Sequence, residues 1–244
     1  MLSALLLGAL LPGCGGDDAP SKVTSPGQPE SLKTRALESG AAVLQDKPPI
    51  EALNAYLDGF HFYNGRLDGQ MEAHHYCARL NEDVTQCVIF DGNTRKSKLM
   101  GIEYILSARV FETLPAAEKG FWHSHVYEVK SGQLVAPGIP EMAEHALMEQ
   151  LVGTYGKTWH TWHTDQALAL PLGIPQLMMS FVADGQLQPE RLNERNQRLG
   201  IDARDKAQKR AVISAPPIDP LADAWQTGQV LQLDDPSGAA QHSP

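Results

Sequence analysis

Two histidines and a glutamate in the segment FWHSHVYEVKSG are residue types that bind metal ions. His123 and His125 are separated by one residue, so in an extended strand their side chains lie on the same face. Glu128 would lie on the opposite face of a regular strand, and a β-bulge would be needed to bring it round. Imidazole and carboxylate groups are ordinary zinc ligands. The segment therefore indicates a site for a divalent metal such as zinc.

A complete site needs one or two further ligands. Candidates come from two other segments, which supply His74 or His75 and His160 or His163. His160 and His163 would face opposite ways on a strand, so at most one of them would join. The alternative interpretation is that all these histidines are packed, hydrogen-bonded core side chains. The sequence leaves both interpretations open.

The three cysteines divide into one near the N-terminus and a pair inside the chain. Cys77 and Cys87 flank a polar turn, so they could form a disulfide across a hairpin in an oxidising compartment. Two reduced, buried cysteines fit the sequence equally well, because only geometry decides between these states. No nucleophile elbow, Rossmann fingerprint or phosphate-binding glycine loop is present. The sequence therefore predicts no catalytic residue.

The N-terminus predicts a secretory signal. An apolar run from Leu2 to Leu11 is too short to span a bilayer. It ends in Leu-Pro-Gly-Cys, which resembles a bacterial lipobox and predicts acylation of Cys14. Acyl chains would anchor the protein to a lipid membrane. These features predict a bacterial outer-membrane lipoprotein, or a secreted one.

Composition and charge narrow the class of protein. The chain has 244 residues, 42% hydrophobic and 20% charged, which is typical of a globular domain. Its formal net charge is −9, so it has no electrostatic reason to bind nucleic acid. The expected organisation is a signal segment at 1–14, a flexible polar tether at 15–47, a compact domain at 48–213 and a flexible tail at 214–244.

Hydrophobic patterns inside the domain predict an α+β fold, with a mainly antiparallel sheet packed by helices. Residues 76–79, 86–90, 158–164 and 177–182 read as strands. Residues 31–44, 140–153 and 190–210 read as helices, the last broken at Gly200. Helical spacing also predicts a helix from Pro49 to Phe60 and another in GIEYILSARVFETLP. The segment HSHVYEVKSGQLVAPG reads as two strands joined by a turn at 131–132.

Several long strings resemble the oil-body-associated protein family over residues 45–213. These strings are MEAHHYCARLNEDVTQCVIFD, GIEYILSARVFETLP, WHSHVYEVKSGQLVAPGIP, TYGKTWHTWHTD and LPLGIPQLMMSF. Plant members of that family associate with seed oil bodies, and bacterial members are catalogued as outer-membrane or secreted lipoproteins of unknown function. The resemblance implies a single domain linked to lipid surfaces. It implies no reaction, cofactor or catalytic residue.

Two functions follow as expectations. The first is a non-enzymatic outer-membrane lipoprotein that presents a surface to lipids, fatty acids or the cell envelope. The alternative is a metal-binding protein or metalloenzyme built around the strand that carries His123 and His125.

Overall fold

The computed structural model describes residues 17–234, whose strands form a closed antiparallel barrel. The strands are β1 (Ala55–Tyr63), β2 (Arg66–Arg79), β3 (Val84–Phe90), β4 (Leu99–Ser107), β5 (His123–Ser124), β6 (Thr154–His160) and β7 (Gln176–Met179). Six of them follow the order β4-β3-β2-β1-β7-β6, and β4 pairs back to β6 to close the ring. The short β5 pairs with β6. The α+β class and the mainly antiparallel sheet are confirmed, and the closure into a barrel is an additional finding.

Helices surround the barrel. They are α1 (Leu32–Leu44), α2 (Pro48–Glu51), α3 (Ala108–Phe111), α4 (Ala116–Lys119), α5 (Val126–Ser131), α6 (Glu141–Leu151), α7 (Pro189–Leu199) and α8 (Ala203–Lys209). The Ser31 side chain caps α1 by accepting from the Thr34 N–H. The helices predicted at 31–44, 140–153 and 190–210 are therefore present, with the last one interrupted at Gly200.

Cross-strand register determines which side chains point into the barrel. Directly paired residues share a face of the sheet. One row of partners runs Cys77↔Cys87↔Glu103↔Thr158 across β2, β3, β4 and β6. A neighbouring row joins His75 to Ile89. The interior is thus mixed, with polar groups placed between aliphatic ones.

Two predicted helices are strands instead. Residues 55–63 form β1, so of the helix predicted from Pro49 to Phe60 only the part within α2 (Pro48–Glu51) is helical. The stretch beginning GIEYIL forms β4, and α3 follows it. Ile102 and Tyr104 face outward and are 38% and 42% exposed, while Glu103 faces inward and is 3% exposed. Because the charged Glu103 occupies an interior position, the alternation of apolar and polar residues that identifies a strand was not recognisable in the sequence.

The predicted strand pair at 123–138 is also wrong. The extended segment stops after Ser124, and the chain turns at His125 into α5. The helix ends at Gly132, whose φ of +77° is the left-handed conformation that glycine adopts without steric cost. No β-bulge is needed to reorient Glu128, because the helical turn itself brings this residue back over His125.

Parts of both predicted flexible segments are bound to the barrel. At the N-terminal side, Ala19 donates its N–H to Asn93 and Ser21 donates to Asp91. At the C-terminal side, Asp223 accepts hydrogen bonds from the N–H and the hydroxyl of Ser124. These contacts hold Ala19, Ser21 and Asp223 against the barrel, and the predicted domain boundaries stay a prediction. Within 17–234 no helix is both long and apolar enough to cross a bilayer.

Cys77 and Cys87 are bonded to each other in the structure. They are register partners on β2 and β3, and their Cα atoms are 4.1 Å apart. Both are buried inside the barrel, in a cluster that includes Leu57 and Ile105. The bond therefore ties together two strands that flank the polar part of the interior.

Removing this disulfide is expected to destabilise the fold. The cysteines are 10 residues apart, and loop-closure entropy for a ring of that size corresponds to roughly 2–3 kcal/mol. We expect Cys77→Ala/Cys87→Ala to lower the free energy of unfolding by about this amount in urea titrations. A reductant should cause a similar loss in the unaltered protein and none in the variant. If the reductant leaves the unfolding midpoint of the unaltered protein unchanged, the disulfide between Cys77 and Cys87 is contradicted.

Candidate metal centre

The carboxylate of Glu103 lies inside the barrel among three imidazole groups. Its Oε1 is 3.2 Å from His125 Nε2 and 3.3 Å from His123 Nε2, and its Oε2 is 3.0 Å from His75 Nε2. All four side chains are less than 5% exposed. An isolated carboxylate at this depth would be strongly disfavoured, so these partners are needed to hold its charge.

Two further histidines extend the cluster. His61 Nδ1 lies 3.4 Å from His160 Nε2, and the His61 and His75 rings meet edge to face at 4.9 Å between centroids. One set of mutually close ligand atoms is formed by His61, Glu103 and His123. The cluster therefore draws on β1, β2, β4, β5 and β6, and on His125, which directly follows β5.

The turn at His125 supplies a second, overlapping set of close ligand atoms. This set contains His123, His125 and Glu128. Glu128 Oε2 lies 3.9 Å from His125 Nε2. The three residues that the sequence singled out first are therefore brought together, although by a strand-to-helix turn and not by a strand.

The hydrogen bonds of His125 fix its tautomer. The Thr154 hydroxyl donates its proton to the Leu151 carbonyl at 2.7 Å, so it accepts from Nδ1–H of His125 at 2.7 Å. In neutral His125 the Nε2 atom then carries a lone pair, and it faces Glu103 Oε1. Two acceptors oppose each other there unless a proton or a cation lies between them. Metal-binding histidines commonly donate their other ring N–H to an outer partner in this way.

Gly156 leaves space at the point where three of these groups converge. It is the register partner of both His123 and Ile105, so it lies between β5 and β4. A Cβ atom at this position would overlap Glu103 Oε1 and would lie 2.6 Å from His123 Nε2 and 2.8 Å from His125 Nε2. Only glycine fits here without displacing the cluster.

Several buried ring nitrogens lack protein partners. Neither nitrogen of His123 or His75 has a hydrogen-bond partner among the described residues, and Nδ1 of His160 has none either. The close approaches of His123 and His75 to Glu103 are out of line for hydrogen bonds. Such groups are rare in folded proteins and call for an explanation such as a bound ion.

The protonation states suit metal ligands. Burial raises the pKa of Glu103, but the surrounding imidazoles of His123, His125 and His75 lower it more, and it lies well below its usual value. Burial and the neighbouring His75 hold the pKa of His61 well below its usual value and that of His160 at about 3. An ionised carboxylate and neutral imidazoles are the forms that bind metals.

Two other acid–base groups around the cluster have pKa values shifted upward. Burial, reinforced by the charge of Glu103, raises the pKa of Glu128 to about 7, although His123 opposes this. Burial lowers the pKa of His75, but Glu103 raises it more, so the net direction is upward. Both shifts follow from enclosing several ionisable groups in one low-dielectric interior.

Two of the candidate histidines lie elsewhere. His74 points to the outer face of β2, where its Nδ1 lies 2.8 Å from Tyr56 Oη and 3.1 Å from the Asp58 carboxylate. His163 lies beyond the end of β6, with Nδ1 3.2 Å from Tyr63 Oη and Nε2 3.1 Å from the Ile174 carbonyl. Of the two alternatives in each pair, His75 and His160 are the ones that lie in the cluster, and their role as metal ligands stays a prediction.

Three residues of the cluster were absent from the predicted ligand sets. His61 was placed in no ligand set because the residues directly before it, Pro49 to Phe60, were assigned to a helix, and Glu103 was missed because its strand was read as a helix. An isolated glutamate within the apolar run GIEYIL was the available signal for Glu103. Gly156 gave no signal of its own, since its role depends on strand pairing.

Sequence comparisons identify relatives of this chain. The family described as "Protein of unknown function (DUF1264)" matches residues 47–214. Oil body-associated protein 1A of Zea mays is 42% identical over 88% of this chain and 92% of its own length. Oil body-associated proteins 1B and 2C of Arabidopsis thaliana are each 38% identical, covering 85% and 90% of this chain and 87% and 93% of their own lengths. No solved structure matches.

These relatives correct the predicted location. A bacterial outer membrane is not supported, because the matching curated proteins are named as oil body-associated proteins of plants. The Cys14 acylation on which that location depended lies outside the described residues. The resemblance seen in the sequence is confirmed at the level of the family, over most of the length of the relatives. The chain belongs to the oil body-associated protein family, DUF1264.

Proposed function

We propose that this protein binds one divalent transition-metal ion inside its barrel. The observation that carries the proposal is the opposition of His125 Nε2 to Glu103 Oε1, with the His125 tautomer fixed by Thr154. A cation bound by both atoms resolves the conflict between two acceptors.

The separations within the cluster suit such an ion. Two ligand atoms that share a tetrahedral zinc ion lie roughly 3.3–3.5 Å apart, given metal–ligand distances of about 2.0–2.1 Å. Glu103 Oε1 is 3.2 Å and 3.3 Å from the two imidazole nitrogens of His125 and His123. His61 belongs to the set of close ligand atoms around Glu103 and could supply a fourth group. Nitrogen and oxygen ligands together favour zinc, iron or manganese.

Metal content of the full chain, purified without chelators, tests the proposal. We expect about one equivalent of metal per chain, and we expect Glu103→Gln and His123→Ala to lose it. The loss of affinity should exceed the roughly 10–100-fold that removal of an outer-shell partner causes. His145→Ala serves as the matched control, because His145 is partly exposed on α6 and pairs with Glu149 instead of the cluster.

A metal-free ion-pair network is the rival arrangement, with His125 doubly protonated. It gives a folded protein with no bound metal, and supplementation with zinc, iron or manganese leaves its thermal unfolding temperature unchanged. A metal ion that binds only the folded state must instead raise that temperature. Circular dichroism of each variant separates loss of metal from loss of fold.

Gly156→Ala is expected to remove the metal as well. The added methyl group would occupy the convergence point of Glu103, His123 and His125, and overpacking of this kind costs about 1–3 kcal/mol of stability. Metal analysis and urea unfolding measure the two effects. Gly40→Ala is the control, since nothing lies within 4 Å of the added atom and alanine within a helix is favoured by roughly 0.5–1 kcal/mol. A Gly156→Ala protein with full metal content and stability would contradict the assignment.

A second candidate function is association with a lipid surface, and α1 is the observation that favours it. None of its 13 residues is buried, and Leu32, Leu37, Val43 and Leu44 are each more than 60% exposed. On a helical wheel Leu37 and Leu44 lie close together. An isolated helix of this length is marginal in water, so a lipid interface would stabilise it. The relatives are named for oil bodies, which agrees with this role.

Flotation with phospholipid-coated triacylglycerol droplets tests the role of α1. We expect Leu37→Glu/Leu44→Glu to weaken partitioning by at least about tenfold, because burying one leucine contributes roughly 1.5–3 kcal/mol. Thr34→Glu/Ala42→Glu adds the same charge to the face that carries no large apolar residue and should float like the unaltered protein. Equal flotation of both variants would remove α1 as the lipid-binding element.

A further inference from the structure

A small cavity adjoins the proposed metal centre. Its volume is about 10 Å³, which is close to the minimum needed to hold one water molecule. The polar part of its wall carries the side chains of His61, His75 and Glu128, and the aliphatic part carries Leu57, Ile105 and Leu134. The cavity therefore meets both requirements for a single ordered water, which are sufficient room and several polar partners.

The polar wall presents groups that lack partners. Both nitrogens of His75 have no hydrogen-bond partner within residues 17–234, although the side chain is only 4% exposed. Glu128 Oε2 and His125 Nε2 are separated by 3.9 Å. That distance is too long for a direct hydrogen bond. Because the metal ion takes the Nε2 lone pair of His125 in the proposed centre, Glu128 is placed to hold a molecule that is bound to that ion.

The aliphatic wall limits what can enter. Leu57, Ile105 and Leu134 are each 5% exposed or less and belong to one packed cluster. Tightly packed interiors do not yield to a large ligand without strain. One water fills this space, and a linear anion that enters end-on needs less additional room than a planar ring.

We propose that the metal ion keeps one exchangeable coordination position that opens into this cavity, where Glu128 holds a single water at rest. This inference rests on the proposed metal centre. The ligand class is small molecules of a few atoms that coordinate through a terminal atom. When azide binds, its terminal nitrogen donates a lone pair to the metal ion and the water departs, with no change of oxidation state. An open position of this kind distinguishes a reactive metal site from a structural one.

Visible spectroscopy of the cobalt(II)-loaded full chain tests the inference. Cobalt stoichiometry is measured first, and failure to bind cobalt overturns the proposed metal centre together with this inference. With cobalt bound, azide should change the spectrum and imidazole at the same concentration should not. If azide leaves the spectrum unchanged, the site is closed, and the inference is overturned while the proposed metal centre stands. An equal change of the spectrum with imidazole would overturn the inference in the same way.

Variants of the cavity wall sharpen the test. Leu134→Ala, or the milder Leu134→Val if folding suffers, should enlarge the cavity and allow imidazole to change the spectrum. Leu106→Ala is the matched control, because Leu106 is similarly buried but belongs to a different core cluster. Identical responses of the Leu134 and Leu106 variants would refute the size limit.

The role of Glu128 has its own readout. If Glu128 holds the water, Glu128→Gln should retain cobalt at the level of the unaltered protein and change only the concentration of azide needed for half of the spectral response. If cobalt is lost, Glu128 is a ligand of the ion and the proposed water position is wrong.

Discussion

A carboxylate enclosed by a barrel must be neutralised locally, and Glu103 imposes that requirement on this fold. Its depth and its low pKa mean that it stays ionised where solvent cannot compensate the charge. Imidazole groups carried by several strands of the barrel point toward this carboxylate. Gly156 is small enough for them to converge. The site therefore depends on the register of the strands, because moving any of these strands by one residue would turn its polar group outward.

Charged groups outside the barrel fix the segment that follows His125. Arg195 donates to the carbonyls of Gly132 and Gln133 and pairs with Asp58, all away from solvent. Arg210 donates to the carbonyls of Val129 and Leu134. These bonds hold the C-terminal half of α5 and the loop after it. The same region carries Glu128 and one wall of the small cavity, so α7, α8 and the turn after α8 act as a scaffold for the site.

Secondary structure was predictable in the elements whose interior positions carry apolar residues that only pack against the core. Helices α1, α6, α7 and α8 carry clear periodicity or caps, and the β2–β3 hairpin is marked by its turn. The failures fall where the alternation that identifies a strand is missing: β1 is buried on both faces from Leu57 to Tyr63, and Glu103 puts a charged residue at an interior position of β4. For His123, His125, His75 and His160, residue type and spacing were sufficient to nominate them. Gly156 and the barrel closure depend on long-range pairing, which no local pattern reports.

The pairing of β4 with β6 has a consequence for how the chain folds. The groups of the centre are drawn from His61 to His160, and Glu103 meets its neighbours only after strands distant in sequence have joined. Non-local contacts of this kind form slowly, because loop-closure entropy must be overcome before they contribute stability. A nascent or partly refolded chain therefore has no assembled site. An ion that binds only the closed barrel would act late, slowing unfolding more than it speeds folding.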